Sequence, residues 1–309
     1  MDLFIINVID GLIYGLLLFM LSSGLTLIFS MMGVLNLAHS AFYMLGAYFA
    51  YQISLLTGFW VGLIVAPIIV TVLGALVERY GLRQVHQYGH VPELIFTFGL
   101  FFVIEELVQY VWGRNMVPYS APESLDFVAF TLAGGTIQAY KVFMLIVSVG
   151  IFVALYYVLA RTRVGMIIQA ALSYPKTVEA LGHNVPLVFM GVFGVGTGLA
   201  GLAGAVEMAG NTHHMEPALF ANIGFDAIAV ALLARTNPRN TLWAGLLWGG
   251  LLSGAALMQS RADISVDLIL IVQALIIMFI AADQIIRYLY RIPEGHADTR
   301  ITLTTSWGG

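Results

Sequence analysis

No cysteine occurs among the 309 residues, which excludes disulfides and thiolate metal sites and leaves the redox compartment unmarked. Charge is scarce as well: Asp, Glu, Lys and Arg make up 10% of the chain, against about 25% in a soluble domain. The 13 Lys and Arg residues are too few for a nucleic-acid footprint. No GxxxxGK[ST] sequence is present, so any ATP-driven step belongs to another chain. No nucleophile–base pairing stands out, and no cofactor is expected. No linker or composition shift marks off a soluble catalytic domain. The opening residues, MDLFIINVIDG, lack the basic region of a cleaved signal, so the first apolar run is expected to be a retained span.

What is abundant is apolar. The chain is 60% hydrophobic with a mean hydropathy of +0.91, which makes it a polytopic membrane protein. The expected fold is all-α. A crossing needs about 20 apolar residues. Spans are expected near 5–30, 34–57, 60–79, 92–112, 139–160, 186–208, 218–234, 240–259 and 265–288: about nine, with bounds of eight to ten. The second is interrupted by Asn36, His39 and Ser40, and the seventh is short and carries Asp226. Either is open to being re-entrant or broken. Residues 1–290 read as one membrane domain and 291–309 as a polar tail.

Orientation follows from the basic residues. One set of alternate loops holds Arg79, Arg83, Arg161, Arg163, Lys176, Arg235, Arg239, Arg287, Arg291 and Arg300. The other holds only Arg114, Lys141 and Arg261. The richer set is expected in the cytoplasm, with the N-terminus outside and the C-terminus inside. The longest outer loop, 113–138, carries Pro118, Pro122, Glu123 and Asp126. Arg79 and Arg83, with His86 and His90, read as cytoplasmic anchors.

Residues 173–182, after the arginine pair, are too polar and too short to cross. They form a helical lug on the arginine side, with Pro175 in the first turn, Ser173 as its cap, Lys176 and Glu179 at helical spacing, and Gly182 as the stop. An interfacial helix on lipid is the plainer alternative. The lug's weak basicity favours docking to a cytoplasmic partner through Val178, Ala180, Leu181 and their neighbours.

Glycines crowd two spans. Gly194/Gly198, Gly245/Gly249 and Gly250/Gly254 have small-xxx-small spacing, with Gly201 and Gly204 continuing the first series, which points to close helix packing. Gly196-Thr-Gly198-Leu-Ala-Gly201 is formally GxGxxG, but no strand precedes it, so a dinucleotide site fails its context. Asn36, His39 and Ser40 share one helical face beside Gly33. Two readings stand: an interhelical hydrogen-bond clamp, or the lining of a translocation path. Acidic residues in or near spans are Asp10, Glu105, Glu106, Glu207, Asp226 and Asp283. Asp226 is the best placed for a proton relay, with Arg235 or a helix N-terminus as its expected partner. His213 and His214 are adjacent and point to different sides of a turn, which does not suit a metal site.

The chain resembles the membrane permease subunit of branched-chain amino acid ABC importers. The resemblance rests on three stretches. The first is Gly11-Leu-Ile-Tyr14-Gly15 through Ser23-Gly24-Leu25-Thr26, with Gly33 to His39 following it. The second is Gly46-Ala-Tyr48. The third is Arg161-Thr-Arg163-Val-Gly165, then Ala180-Leu-Gly182-His183-Asn184-Val185, then Gly198 to Gly204. Two departures stand out. Ser40 follows the histidine where the family usually has glycine. Residues 224–238 look more like the sugar and nucleoside branch. The resemblance implies a non-enzymatic importer subunit for branched-chain or related small amino acids, with a sugar, nucleoside or other small polar solute as the alternative. It implies a second permease, either a homologue or a copy, and two cytoplasmic ATPases docked on residues 173–182 as the coupling helix. It also implies an external substrate-binding protein and a lipid setting in a bacterial or archaeal plasma membrane. A proton-coupled carrier, a channel and a passive scaffold are the readings from other classes.

Overall fold

Hydrocarbon offers no partner to a free backbone N–H, so long apolar runs close into helices. The computed structural model describes residues 2–281, apart from 34, 133, 134 and 236. The helices are α1 (Asp2–Met32), α2 (His39–Thr57), α3 (Phe59–Val77), α4 (Arg83–His86), α5 (His90–Trp112), α6 (Ala139–Arg161), α7 (Arg163–Ser173), α8 (Pro175–Ala180), α9 (Val185–Glu207), α10 (Pro217–Leu233), α11 (Pro238–Ala262) and α12 (Asp267–Ala281). A π-helical turn, Glu78–Leu82, joins α3 to α4, and a second, Met208–Thr212, ends α9.

Each of the nine expected spans falls on a helix. Among the described residues six stretches are both long and apolar enough to cross: Ile6–Ser30, Phe59–His86, His90–Trp112, Ala139–Arg161, Val185–Gly210 and Pro238–Ala262. The other three expected spans correspond to α2, α10 and α12, which are shorter or more polar. The expected tail 291–309, the end of the span 265–288, and Asp283, Arg287, Arg291 and Arg300 lie outside the described residues.

The chain is all-α, as expected, with two short β ribbons in its loops. The loop between α5 and α6 contains a hairpin, β2 (Val128–Leu132) against β3 (Gly135–Gln138). It also contains β1 (Val117–Pro118), which pairs antiparallel with β4 (His214–Met215). That second pairing puts the loops after α5 and α9 at one end of the bundle. Arg83 reaches the Pro186 carbonyl, 2.8 Å away, at the opposite end. We call this opposite end the arginine end.

α1 is the centre. Its spanning window is 83% buried, against 17% for α5 and 11% for α6, and α9, α10 and α11 pack around it. The contacts run through glycine. A Cβ on Gly15 would lie 2.7 Å from the Gly245 carbonyl oxygen, and one on Gly196 would lie 2.8 Å from that of Gly24. Gly46 of α2 meets the Gly201 backbone, and Gly204 meets that of Tyr43. Gly194 and Gly198 admit α3 at Thr71 and Pro67, and Gly249 admits Gly11 and Gly15. Gly250 and Gly254 differ from expectation: a Cβ on either meets nothing within 4 Å. They lie five residues on from Gly245 and Gly249 with the same spacing, about 140° further round α11, turned away from α1. α5 and α6 turn Ile95, Phe98, Phe102, Leu107, Ile146 and Val153 outward, as a lipid-facing surface requires.

Gly46→Leu should therefore force α2 off α9, at a cost of about 1–3 kcal/mol or more for overpacking. Fluorescence-detected size exclusion should show loss of the monodisperse peak for Gly46→Leu and none for Gly254→Leu. Equal behaviour of the two variants would refute this packing.

Candidate functional site

Three of the polar residues singled out in the sequence meet where α1 gives way to α2. Gly33 ends α1 at φ +66°, a conformation glycine adopts without cost, and its N–H bonds the Phe29 carbonyl at 3.0 Å. Residues 35–38 are not helical and lead to α2 inside the bundle. His39, the first residue of α2, lies beside Gly24. Gly24 is eight residues from the end of α1, about 12 Å along its axis. The second expected span is thus a helix that begins inside the protein, preceded by irregular backbone enclosed by other helices.

Side chains hold this break together. Asn36 Oδ1 accepts from the Ala38 N–H at 3.1 Å, and the Asn36 carbonyl accepts from the His39 N–H at 3.1 Å. The Leu37 N–H donates to Thr97 Oγ1 of α5 at 3.3 Å. His39 Nε2 sits 2.9 Å from the Leu21 carbonyl oxygen. A carbonyl only accepts, so Nε2 is the donor. Asn36 Nδ2 and His39 Nδ1 are buried without a partner among the described residues. Asn36, His39 and Ser40 are all buried. Ser40 lies directly against Gly224 of α10, where any Cβ would overlap it.

Asp226 is not part of this group. The Trp248 indole N–H of α11 donates to its Oδ1 at 3.0 Å. That replaces the partner expected from sequence: Arg235 lies beyond the end of α10 and is exposed. A buried pair that went unrecognised in the sequence sits one turn further along α2. The Tyr43 hydroxyl donates to Glu207 Oε2 at the end of α9, and the Tyr140 hydroxyl bonds the next carbonyl back, Val206, at 2.9 Å. Tyr43 and Glu207 are 164 positions apart, so no local spacing announces them. At the β1–β4 end Asp10 pairs with Lys141 at 2.6 Å. His213 and His214 each bond a separate backbone carbonyl, those of Ala209 and Thr212.

The lug is a two-helix structure. α7, an amphipathic helix whose Val164 and Met166 are exposed while Ile168 and Ala171 are buried, fills the stretch between the span expected at 139–160 and the lug expected at 173–182. Its N-cap is Thr162, whose Oγ1 accepts from the Gly165 N–H. α8 follows with Pro175 at its start. Its N-cap position is Tyr174 and not Ser173, because Ser173 is the last residue of α7, and Tyr174 makes no side-chain cap bond. Gly182, at φ +87°, closes α8. Its N–H bonds the Glu179 carbonyl, and the His183 N–H bonds that of Val178, the paired pattern of a Schellman ending. Val178 anchors α8 inward on Ala171 and Val185. Asn184 caps α9 by accepting from the Leu187 N–H at 3.0 Å. Lys176, Glu179 and Ala180 face out, as do Tyr174 at 70% and Leu181 at 73% exposure.

The expected anchors at the arginine end form a network with two acids. Arg83 Nε bonds Glu78 at 3.0 Å, and His86 and His90 both reach the buried Glu93. This ties the turn after α3 to the start of α5 and, through Pro186, to the base of α9.

His39→Ala should cost about 2–5 kcal/mol through the void and the unpaired Leu21 carbonyl. The expected readout is a lower thermal unfolding midpoint in detergent. A variant as stable as the parent, with reduced uptake, would instead make His39 a residue that meets solute.

The family described as "Branched-chain amino acid transport system / permease component" matches residues 7–281. The glucose ABC transporter permease protein TsgB13 of Haloferax volcanii is 29% identical over 217 residues, 65% of this chain and 56% of that protein. The high-affinity branched-chain amino acid transport system permease protein BraD of Pseudomonas aeruginosa is 24% identical over 241 residues, 74% and 78% of the two chains. The guanosine ABC transporter permease protein NupP of Bacillus subtilis is 30% identical over 146 residues, 47% and 42%. The match therefore spans little more than half of the glucose permease and about three quarters of the amino acid permease.

Proposed function

Because the chain belongs to the permease-component family of branched-chain amino acid transport systems, matched over residues 7–281, we propose that it forms the translocation path of an ABC importer. It is a permease subunit and not itself an enzyme. In this reading one membrane domain makes nine crossings, with α2, α10 and α12 completing the six long apolar helices. A second permease, a copy or a homologue, completes the path. The arginine end faces the cytoplasm of a prokaryotic plasma membrane, with the C-terminus on the same side, as the excess of basic residues there favours. A substrate-binding protein delivers solute at the opposite end, over the β1–β4 ribbon.

The observation that carries this reading is the lug. α8 is held from beneath by Val178 and closed rigidly by Gly182, yet it presents Tyr174, Ala180 and Leu181 to solvent. An apolar tip flanked by Lys176 and Glu179 suits a protein groove better than water. We assign residues 173–182 as the coupling helix that receives an ATPase subunit. Asn36 and His39 act on the path by fixing the break between α1 and α2. Their spare nitrogens, Nδ2 and Nδ1, are available to a polar group when helices part.

Branched-chain or related small amino acids are the favoured substrate class, because most of the amino acid relatives match over a larger share of the chain. A sugar or nucleoside is the second reading, supported by the glucose and guanosine relatives and by residues 224–238. Titrating the cognate binding protein with leucine, glucose and guanosine separates these classes.

Leu181→Asp and Ala180→Arg should leave the permease folded and cut ATP-driven uptake by about tenfold or more, since each sets a charge in the contact. Normal uptake by both would remove the coupling assignment. Asp226→Asn tests the rival proton-coupled carrier. The amide oxygen still accepts from Trp248, so uptake should stay within about twofold. A collapse of uptake with the fold intact would favour the carrier.

A further inference from the structure

A slot opens at the arginine end between α1, α6, α7 and the turn that leads into α11. It encloses about 420 Å³, within the range of ligand-sized cavities. Its inner walls are apolar: Phe19 and Leu27 of α1, Phe152 and Leu155 of α6, and Ile168 of α7. Arg235 and Arg239 stand at its mouth with Asn237 between them. The transport reading counts these arginines only toward orientation and gives the slot itself no role.

Three features shape the mouth. Arg239 lies over the Tyr156 ring, 5.1 Å from its centroid, which holds the guanidinium at the rim. Arg235 sits at φ +49° just past the end of α10, a position glycine usually fills, so the turn keeps an arginine where backbone geometry disfavours one. The first turn of the 25-residue α11 ends here as well, with Asn237 Oδ1 accepting from the Arg239 N–H at 3.0 Å. Helix dipole and guanidiniums are all positive. Among the described residues no carboxylate lies within ion-pair distance of either arginine.

The slot runs from Ser30 down to Phe19, eleven residues of α1 or about 16 Å, roughly half of a hydrocarbon core about 30 Å thick. Its α6 wall belongs to the helix least covered by protein, so entry from the bilayer side is short. A soluble anion would satisfy the arginines and leave the apolar walls wet. A neutral lipid would fill the walls and leave the arginines unpaired.

We propose that this slot binds one anionic phospholipid from the leaflet at the arginine end. Its phosphate is gripped by Arg235 and Arg239, and one acyl chain lies along Phe19, Leu27 and Phe152. The inference needs only that the chain is a membrane protein, so it stands apart from the choice of substrate or driving force.

The test is native mass spectrometry of the gently extracted complex, incubated with equal amounts of phosphatidylglycerol and phosphatidylcholine. The parent should retain one phosphatidylglycerol per chain, at about tenfold preference or more. R235Q/R239Q should lose that preference. Leu155→Trp, which narrows the slot and leaves both arginines, should lose the bound lipid about tenfold. Arg163→Gln, an exposed arginine outside the slot, should bind as the parent does. Millimolar inorganic phosphate should not displace the lipid. Equal retention of the two lipids, or undiminished phosphatidylglycerol binding by R235Q/R239Q, overturns the proposal. Displacement by phosphate, together with normal binding by Leu155→Trp, overturns it in favour of a plain anion site.

Discussion

Everything in this bundle depends on how closely backbones approach. Between helices immersed in lipid there is little hydrophobic drive for association, so contact area and backbone proximity must supply the attraction. α1 meets α9 through Gly24 and Gly196, and α11 through Gly15, Gly245 and Gly249. α2 meets α9 through Gly46 and Gly201. At each point a single methyl group would fall on a carbonyl oxygen or an α-carbon. Large side chains then fill the layers between these crossings: Phe42 against Phe193, and Tyr43 against Phe220. The glycines set the spacing and the aromatics lock the register.

The same closeness makes the break between α1 and α2 affordable. Irregular backbone at this depth has unsatisfied groups unless protein supplies partners. Asn36, Thr97 and the chain's own turns supply them at residues 36–39. His39 crosses to α1 and caps a carbonyl, Leu21, that lies inside a continuous helix. The junction is therefore stitched to α1 and α5 and not left as a loose hinge. α8, by contrast, is a short helix with Val178 as its one buried side chain among the described residues, and its Tyr174 and Leu181 ends are exposed.

The fold was largely legible in the sequence because hydropathy reports length, and length is what a bilayer demands. Among the described residues a helix occupies the place of each expected span, and six of these helices are long and apolar enough to cross. What periodicity did not report is which face of a helix meets a neighbour. Gly245/Gly249 and Gly250/Gly254 have identical spacing, yet only at the first pair would an added Cβ run into α1. Partners distant in sequence were equally silent: Trp248 for Asp226, Glu207 for Tyr43, and Glu93 for His86 and His90. α7 was not legible because its apolar run, just after the arginine pair that closes a span, is too short to cross. Of the candidate path residues, the grouping of Asn36, His39 and Ser40 could be read from three- and four-residue spacing. Their enclosure could not, because it depends on Gly24, Gly196 and Gly224 from three other helices.

The central position of α1 also has a temporal side. It precedes its main neighbours, α9 and α11, by well over a hundred residues, so it enters the bilayer long before they are made. Until then its small residues, Gly15 on the side that meets α11 and Gly24 on the side that meets α9, have only lipid or provisional neighbours. Contacts this distant in sequence form slowly, because the intervening chain must close a large loop first. The helix that holds the finished bundle together is thus among the last to find its final surroundings during biogenesis. A chain interrupted before α9 would strand its most protein-adapted helix in hydrocarbon, with the buried Ser22, Ser23 and Thr26 deprived of their protein surroundings.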